Sequence, residues 1–385
     1  MSEISYAVGD RVEAVCGPVA HGGHVVARVP AGERQIVVFV RHALPGERVV
    51  VEITGVEKSF LRGDAVEVLD ASPDRVTAPC PLAGPGLCGG CDFQHVALPA
   101  QRELKAAVVA EQLSRLAGLS REVTVEPVPG TVSYSRADGL RWRTRMQYVA
   151  LPDGRRGLRR HHSHEVVPVD DCLLEASGAR VVLDRSESSE ATVTETVGPH
   201  SFEVAADGFW QVHPGAPPAL VDAVLSVLAP RPGERVLDLY AGVGLFSAFL
   251  ADAVGPGGSV LAVEGDRRAA SLAVTNLAGR ASVETGRVDR VLARRHEKAD
   301  LVVLDPPREG AKRAVVEAVV ATGPRAVAYV ACDPAALARD VAIFAEHGYE
   351  LTSLRAFDLF PMTHHVECVA LLVPSSGDPA GSGPR

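Results

Sequence analysis

The chain has 385 residues, 46% apolar and 23% charged, with a formal charge of −9. That length allows two or three domains, and the composition is that of a globular chain. With no apolar run of about 18 residues and no basic stretch leading into an apolar one at the N-terminus, neither a membrane span nor a secretory signal is expected; a cytoplasmic location is.

Residues 1 to about 70 read as short strands. VGDRVEAV, GHVVARV, QIVVFV and RVVVEITGVE alternate or run with β-branched residues and are separated by HGG, PAGE and LPGE. Such spacing predicts a small antiparallel, OB-like barrel. HALPGERVVVEITGVEKSFLRGDAVEVL resembles the TRAM domain, a small RNA-binding barrel attached to RNA-modifying enzymes. That resemblance implies an RNA partner.

Residues 71 to about 195 carry a cysteine cluster, a helix and a basic stretch. Cys80, Cys88 and Cys91 lie in C-x7-C-x2-C, and Gly89 and Gly90 let the chain wrap around a ligand. In a cytosolic chain such crowding points to a metal or cluster rather than disulfides. A fourth thiolate is needed, and Cys172 in VDDCLLE is the candidate; zinc and iron–sulfur are equally open on these residues. His95, Cys16 and Cys368 read as structural.

Gln101 to Leu116 reads as a helix, with Leu104, Val108, Val109, Leu113 and Leu116 on one face and Gly118 as its stop. From Arg136 to His164 run Arg136, Arg141, Arg143, Arg145, Arg155, Arg156, Arg159 and Arg160, with Trp142 and Tyr148 interleaved. Net negative charge argues against a polyanion partner, but segregated basic residues with aromatics fit one, as does a solvated hairpin. The polar stretch Ser186 to Thr196 reads as a boundary.

Residues 196 to about 374 alternate RVLDLY, SVLAVE, DLVVLD, AVAYVAC and VECVALLV with helical stretches, which predicts a doubly wound α/β domain. Residues 375 to 385 have the composition of a disordered tail. VLDLYAGVGLFS is a strand, a turn with Gly242 and Gly244, and a helix start. Asp238 ahead of the turn would repel a pyrophosphate but suits the cationic methionine end of S-adenosylmethionine. Glu264, ending the next strand, can accept from a ribose diol. In LDPPREG, Asp305 points into the crevice. Arg308 stands where enzymes that methylate exocyclic amines carry an aromatic, so different chemistry is expected.

YVACDPAALARD sets Cys332 between a strand and a helix, where the helix dipole can favour a thiolate. FPMTHHVEC sets Glu367 at the start of the last strand. C5 of uracil is too weakly nucleophilic to attack a sulfonium methyl directly. A thiolate added at C6 makes an enolate that can attack, and a base must then remove the C5 proton. Cys332 is the expected nucleophile and Glu367 the expected base.

With these motifs in hand, the chain resembles the bacterial RNA 5-methyluridine methyltransferases, in their iron–sulfur-containing branch, over nearly its whole length. LDLYAGVGLFS, LDPPREG, YVACDPAALARD and FPMTHHVEC carry the likeness. It implies a class I methyltransferase domain after a TRAM barrel and a central iron–sulfur and RNA-binding domain. By the same likeness Asp305, Tyr240, Glu264 and, from GFWQVHPG, Gln211 contact the cofactor. Cys80, Cys88, Cys91 and Cys172 would hold a structural 4Fe-4S cluster. The expected substrate is large-subunit ribosomal RNA, with transfer RNA as the alternative, and the expected state is a monomer. Three departures stand out: Ala331 and Asp333 replace the family's serine and asparagine around the cysteine, and His213 and Pro214 follow Val212. A carboxylate at 333 should raise the thiol's pKa. Two other readings are weaker. A radical methylthiotransferase needs C-x3-C-x2-C in a barrel, and a non-catalytic RNA-binding protein would not need Cys332, Glu367, Asp305 and Glu264 together.

Overall fold

The computed structural model describes residues 6–128, 138–184, 190–295 and 297–375. Arg136 and the tail from 376 lie outside them. Strands β1 (Arg11–Ala20), β2 (His24–Ala31), β3 (Arg34–Arg41), β4 (Arg48–Val56) and β5 (Phe60–Asp70) close a barrel in the order β1-β2-β3-β5-β4. Alternation drives the closure. Ile36, Val38 and Val40 of β3 point inward, where they meet Val29, Val51, Ile53 and Leu61.

Helix α1 (Leu98–Ala117) has Pro99 in its first turn and ends at Gly118 in the left-handed conformation, as its stop signal predicts. Its buried face differs from the expected one. Leu116 is exposed and Leu104 only half buried, whereas Gln101 and Lys105 are buried. These two polar side chains go inward because a distant loop meets them with partners. The Gln101 amide donates to the carbonyls of Phe93 (3.1 Å) and Val96 (2.9 Å) and accepts from the Met362 N–H at 2.9 Å. Lys105 Nζ donates to Asp358 Oδ1 at 2.6 Å and to the Phe360 carbonyl at 3.0 Å.

A short strand, β6 (Val125–Pro127), follows. Strands β7 (Arg143–Ala150), β8 (Arg156–Arg159), β9 (Val166–Pro168) and β10 (Glu175–Leu183) form a four-stranded sheet in the order β10-β7-β8-β9. β11 (Thr192–Val197) and β12 (His200–Ala205) form an antiparallel pair.

Thereafter helices and strands alternate: α2 (Ala216–Leu228), β13 (Arg235–Leu239), α3 (Leu245–Val254), β14 (Ser259–Glu264), α4 (Arg267–Leu277) and β15 (Ser282–Thr285). Next come α5 (Val288–Arg295), β16 (Leu301–Leu304), α6 (Lys312–Thr322), β17 (Ala326–Ala331), α7 (Pro334–Glu346), β18 (Tyr349–Asp358) and β19 (Glu367–Pro374). They build an eight-stranded sheet, β15-β14-β13-β16-β17-β19-β18-β6. Strands β13 to β17 pair in parallel, and β19 runs antiparallel between β17 and β18. Successive residues of β13 face opposite sides: Leu237 and Leu239 enter one apolar layer with Val109 and Leu113 of α1, Val236 the other with α2 and α3. The order reverses between β13 and β16, and a crevice opens there beyond the strand ends.

Candidate active site

Asp238 and the glycine turn after β13 sit at that crevice. The chain leaves Leu239 through Tyr240 (φ 65°), Gly242 (φ 56°) and Gly244 (φ 95°) before entering α3. A side chain on Gly244 would be strained at that φ and would press on Leu277 at 3.2 Å. Glu264, at the end of β14, braces the turn: Oε2 accepts from the Gly242 N–H at 2.8 Å and Oε1 from the Asp266 N–H at 2.7 Å. Each oxygen keeps a second lone pair for a ligand.

The carboxylates here lack cations. Asp238 is fully buried; Oδ2 accepts from the Ser247 hydroxyl at 2.6 Å, and Oδ1 has no partner. Burial pushes its pKa up to about 6. Asp305, just beyond β16, is pushed up to about 7 by burial, with Asp238 and Glu264 adding to it. No ion pair holds Asp238 or Asp305 among the described residues. A buried polar atom without a partner and clustered carboxylates fit a cationic ligand.

The sheet register brings the two catalytic candidates together. β17 and β19 pair as far as Ala331 opposite Cys368, so Cys332, the first residue past β17, and Glu367, the first residue of β19, lie at the same end of that ladder, close enough for the Glu367 charge to act on the thiol. Glu367 is buried, and burial together with Asp305 holds its pKa well above the ordinary carboxylate range. The Cys332 thiol is half buried and pushed up to about 12, by burial first, then by Glu367 and Asp305, with Arg308 opposing. The expected bias toward thiolate from the start of α7 is therefore overridden by burial and by two carboxylates. Asp333 adds a smaller push in the same direction, as expected from its sequence position. It also caps α7: Oδ1 accepts from the Ala336 N–H at 2.7 Å.

Cys332 opens onto a cavity of about 190 Å³ walled by Phe93, Lys105, Arg308, His364 and His365, and by His21 from the barrel. The loop leading to Glu367 is held by residues that sequence reading missed. Asp92 and Phe93 donate their N–H groups to the Met362 carbonyl at 2.9 and 3.0 Å. The Asp92 carboxylate takes His364 Nδ1 at 2.6 Å and Arg41 Nη2 at 3.3 Å. Burial opposes its ionisation, but these partners hold Asp92 below the usual carboxylate range. Nothing in the local pattern flags Asp92 or Lys105, because each is paired by a residue more than two hundred positions away.

Gln211 and Tyr240 divide. Tyr240 belongs to the glycine turn. Gln211 lies half buried on the loop between β12 and α2, after Trp210, and no hydrogen bond among the described residues ties it to the carboxylates.

Cys80, Cys88, Cys91 and Cys172 line one pocket, with Leu82, Met146 and Arg143 and without His, Asp or Glu. Burial raises the pKa of Cys88, Cys91 and Cys172. Yet no group of three or more His, Cys, Asp and Glu among the described residues is gathered to hold a metal ion. The expected four-cysteine site is thus a shared cavity rather than a formed ligand shell. Cys16 and Cys368 are buried.

The basic stretch is corrected in two ways. Trp142 and Tyr148 are core residues, 1% and 0% exposed, not platforms for bases. Most of its arginines are paired: Arg141 with Asp171, Arg155 with Asp153, Arg156 with Glu175 and Arg160 with Glu165. Of these partners only Asp153 lies within the stretch; Glu165, Asp171 and Glu175 follow it, which is why the stretch itself looked poor in acids.

The TRAM domain family matches residues 7–66, and the tRNA (uracil-5-)-methyltransferase family matches residues 283–374. An uncharacterized RNA methyltransferase of Streptomyces avermitilis is 46% identical over 96% of this chain and 99% of its own. One of Bifidobacterium longum is 38% identical over 87% of this chain and 91% of its own. The crystal structure of Pyrococcus abyssi tRNA (uracil-54, C5)-methyltransferase with S-adenosyl-L-homocysteine shares the fold, at 22% identity and a TM-score of 0.69, over 94% of this chain and all of that one. Among the described residues no helix is long and apolar enough to cross a membrane. A TRAM barrel, a class I sheet and whole-length relatives converge, and the chain belongs to the S-adenosylmethionine-dependent RNA uracil-5-methyltransferases.

Proposed function

We propose that this enzyme methylates C5 of one uridine in structured RNA through a covalent bond from Cys332. The observation that supports the reading is that the β17–β19 ladder ends beside both residues, with Cys332 lining the cavity and Glu367 near enough to raise its thiol. S-adenosylmethionine supplies an electrophilic methyl group on a cationic sulfur. Asp238, Asp305 and Glu264, with Tyr240, Gln211 and the backbone at Gly242 and Gly244, would bind it. A cationic ligand beside Asp305 also relieves the charge that keeps Cys332 and Glu367 protonated.

Cys332 loses its proton to solvent and its sulfur adds to C6, placing the electron pair on the C5–C4–O4 enolate. C5 takes the methyl group and S-adenosylhomocysteine leaves. The Glu367 carboxylate then removes the C5 proton, the enolate re-forms, and its electron pair expels the Cys332 thiolate. One proton is released overall.

In this reading residues 1–70 and 71–195 grip the RNA, residues 196–374 carry the chemistry, and the protein works as a cytoplasmic monomer. The four cysteines would hold a 4Fe-4S cluster that shapes the central segment and takes no part in methyl transfer. Anaerobic purification should give four irons per chain with visible cluster absorption; stoichiometric zinc would reassign the site. Large-subunit ribosomal RNA is the favoured substrate, on the resemblance to the cluster-bearing branch. Transfer RNA is the second reading, favoured by the family match and by the Pyrococcus abyssi enzyme's title activity. The test is incubation with labelled S-adenosylmethionine and RNA from a strain lacking the enzyme, then mapping of 5-methyluridine by mass spectrometry. One ribosomal position is expected; methylation of transfer RNA alone overturns the substrate, and no 5-methyluridine overturns the reaction.

A further inference from the structure

The turn between β1 and β2 reaches from the barrel into the catalytic cavity. Gly22 and Gly23 adopt φ of 92° and 77°. A Cβ on Gly23 would lie 3.0 Å from His364 Cβ and 3.1 Å from Asp92 Cβ, so the turn is packed tightly against the loop that leads to Glu367. From this turn His21 places Nε2 2.9 Å from Asp333 Oδ2. The other Asp333 oxygen caps α7 through the Ala336 N–H. Asp333 is the neighbour of Cys332, and all three residues line the same cavity.

We propose that His21 is a positioning residue: the barrel delivers an imidazolium that neutralises Asp333 and fixes it away from the thiol of Cys332. The inference rests on Cys332 being the nucleophile. An unpaired carboxylate next to a thiol disfavours the thiolate. Clamped at both oxygens, Asp333 keeps its cap while most of its charge is offset. His21 is suited to the task, because the hydrogen bond to Asp333 raises its proton affinity, and Glu111 adds to that against the opposing effect of burial. Across the cavity it faces Lys105, Arg308, His364 and His365. The barrel does not depend on His21 for docking, since the Gly23 packing and the Arg41–Asp92 pair hold it independently.

The test uses the full-length protein and two readouts: steady-state methylation, and iodoacetamide labelling of Cys332 followed by peptide mass spectrometry across pH. His21→Ala should slow labelling of Cys332 about tenfold at any fixed pH and lower kcat about tenfold, with KM for S-adenosylmethionine and the melting temperature unchanged. Adding Asp333→Asn, which keeps the cap and removes the charge, should restore most of both. Unchanged labelling and kcat in His21→Ala would overturn the inference. So would a loss that Asp333→Asn does not restore, since His21 would then be only a latch for the barrel. Separately, full activity in Cys332→Ser would overturn the nucleophile assignment, and the inference with it.

Discussion

Two sets of buried charges lie within this molecule, and they are finished differently. In one, every charge has an internal partner: Lys105 with Asp358 at 2.6 Å, and Asp92 with His364 and Arg41. In the other, Asp238, Asp305 and Glu367 are held above the ordinary carboxylate range, and no ion pair among the described residues holds them. Burying an unpaired charge is expensive, so a fold that leaves three carboxylates uncompensated leaves them for something that arrives from outside. In the proposed reading the closed set is scaffold and the open set is the site. The scaffold is nonetheless aimed at the site, since both closed pairs hold the loop that ends at Glu367.

Substitutions in the open set should remove chemistry and leave the fold. Cys332→Ser should lower the methylation rate by about a thousandfold or more, with cofactor binding and melting temperature unchanged. Glu367→Gln should slow turnover by about 10²- to 10⁴-fold, through the step after methyl transfer, so that single-turnover assays show an initial burst of methyl incorporation. A substitution in the closed set should do the reverse. Lys105→Met strands a buried Asp358 and should destabilise the protein by about 3–5 kcal/mol in chemical denaturation. If it left stability intact while abolishing activity, the division between scaffold and site would fail.

Smaller effects sharpen the contrast. Asp305→Asn should weaken S-adenosylmethionine binding about ten- to a hundredfold by calorimetry. It should also speed labelling of Cys332 in the free enzyme, because one of the carboxylates that raise that thiol is gone. The smallest effect is on stability against pH. Folding raises Asp238 from 3.8 to about 6 and Asp305 from 3.8 to about 7. A group raised by folding stabilises the protein below its unfolded pKa, and that stability is lost as pH rises through the folded value. Buried histidines such as His24, His95 and His213, which folding lowers to about 4, work the other way, so the contribution is read as a difference: from about pH 4 to about pH 7 the cofactor-free protein should lose stability relative to Asp305→Asn. S-adenosylmethionine should recover more of that loss at the upper end than S-adenosylhomocysteine, which lacks the charge.

Much of the open set was legible in the sequence, because it lies at strand ends. Asp238, Glu264, Asp305 and Cys332 each follow or close a recognisable apolar strand, and parallel strand ends converge at one edge of a doubly wound sheet. Their protonation was not legible. A helix start beside Cys332 promised a thiolate, and only the assembled fold buries the thiol and brings Glu367 and Asp305 close enough to reverse that. The closed set was invisible for a related reason. Gln101 and Lys105 occupy what helical periodicity marks as a solvent face; Lys105 is met by Asp358 and Phe360, and Gln101 by Met362 as well as by the carbonyls of Phe93 and Val96 just before the helix. The arginine stretch erred in the other direction, since Trp142 and Tyr148 support a sheet rather than a base. Local pattern finds an element's apolar face, but it does not find polar pairs formed across two hundred residues of chain.

The central claim, that Cys332 bonds to the base, is tested most directly with substrate RNA carrying 5-fluorouridine. Fluorine at C5 cannot be removed as a proton, so the methylated adduct should persist. Incubation with S-adenosylmethionine, protease digestion and mass spectrometry should find a methylated fluorouridine nucleotide on the peptide containing Cys332. A stable adduct on another residue, or methyl transfer to unsubstituted RNA with no adduct on the fluorinated one, would contradict the account.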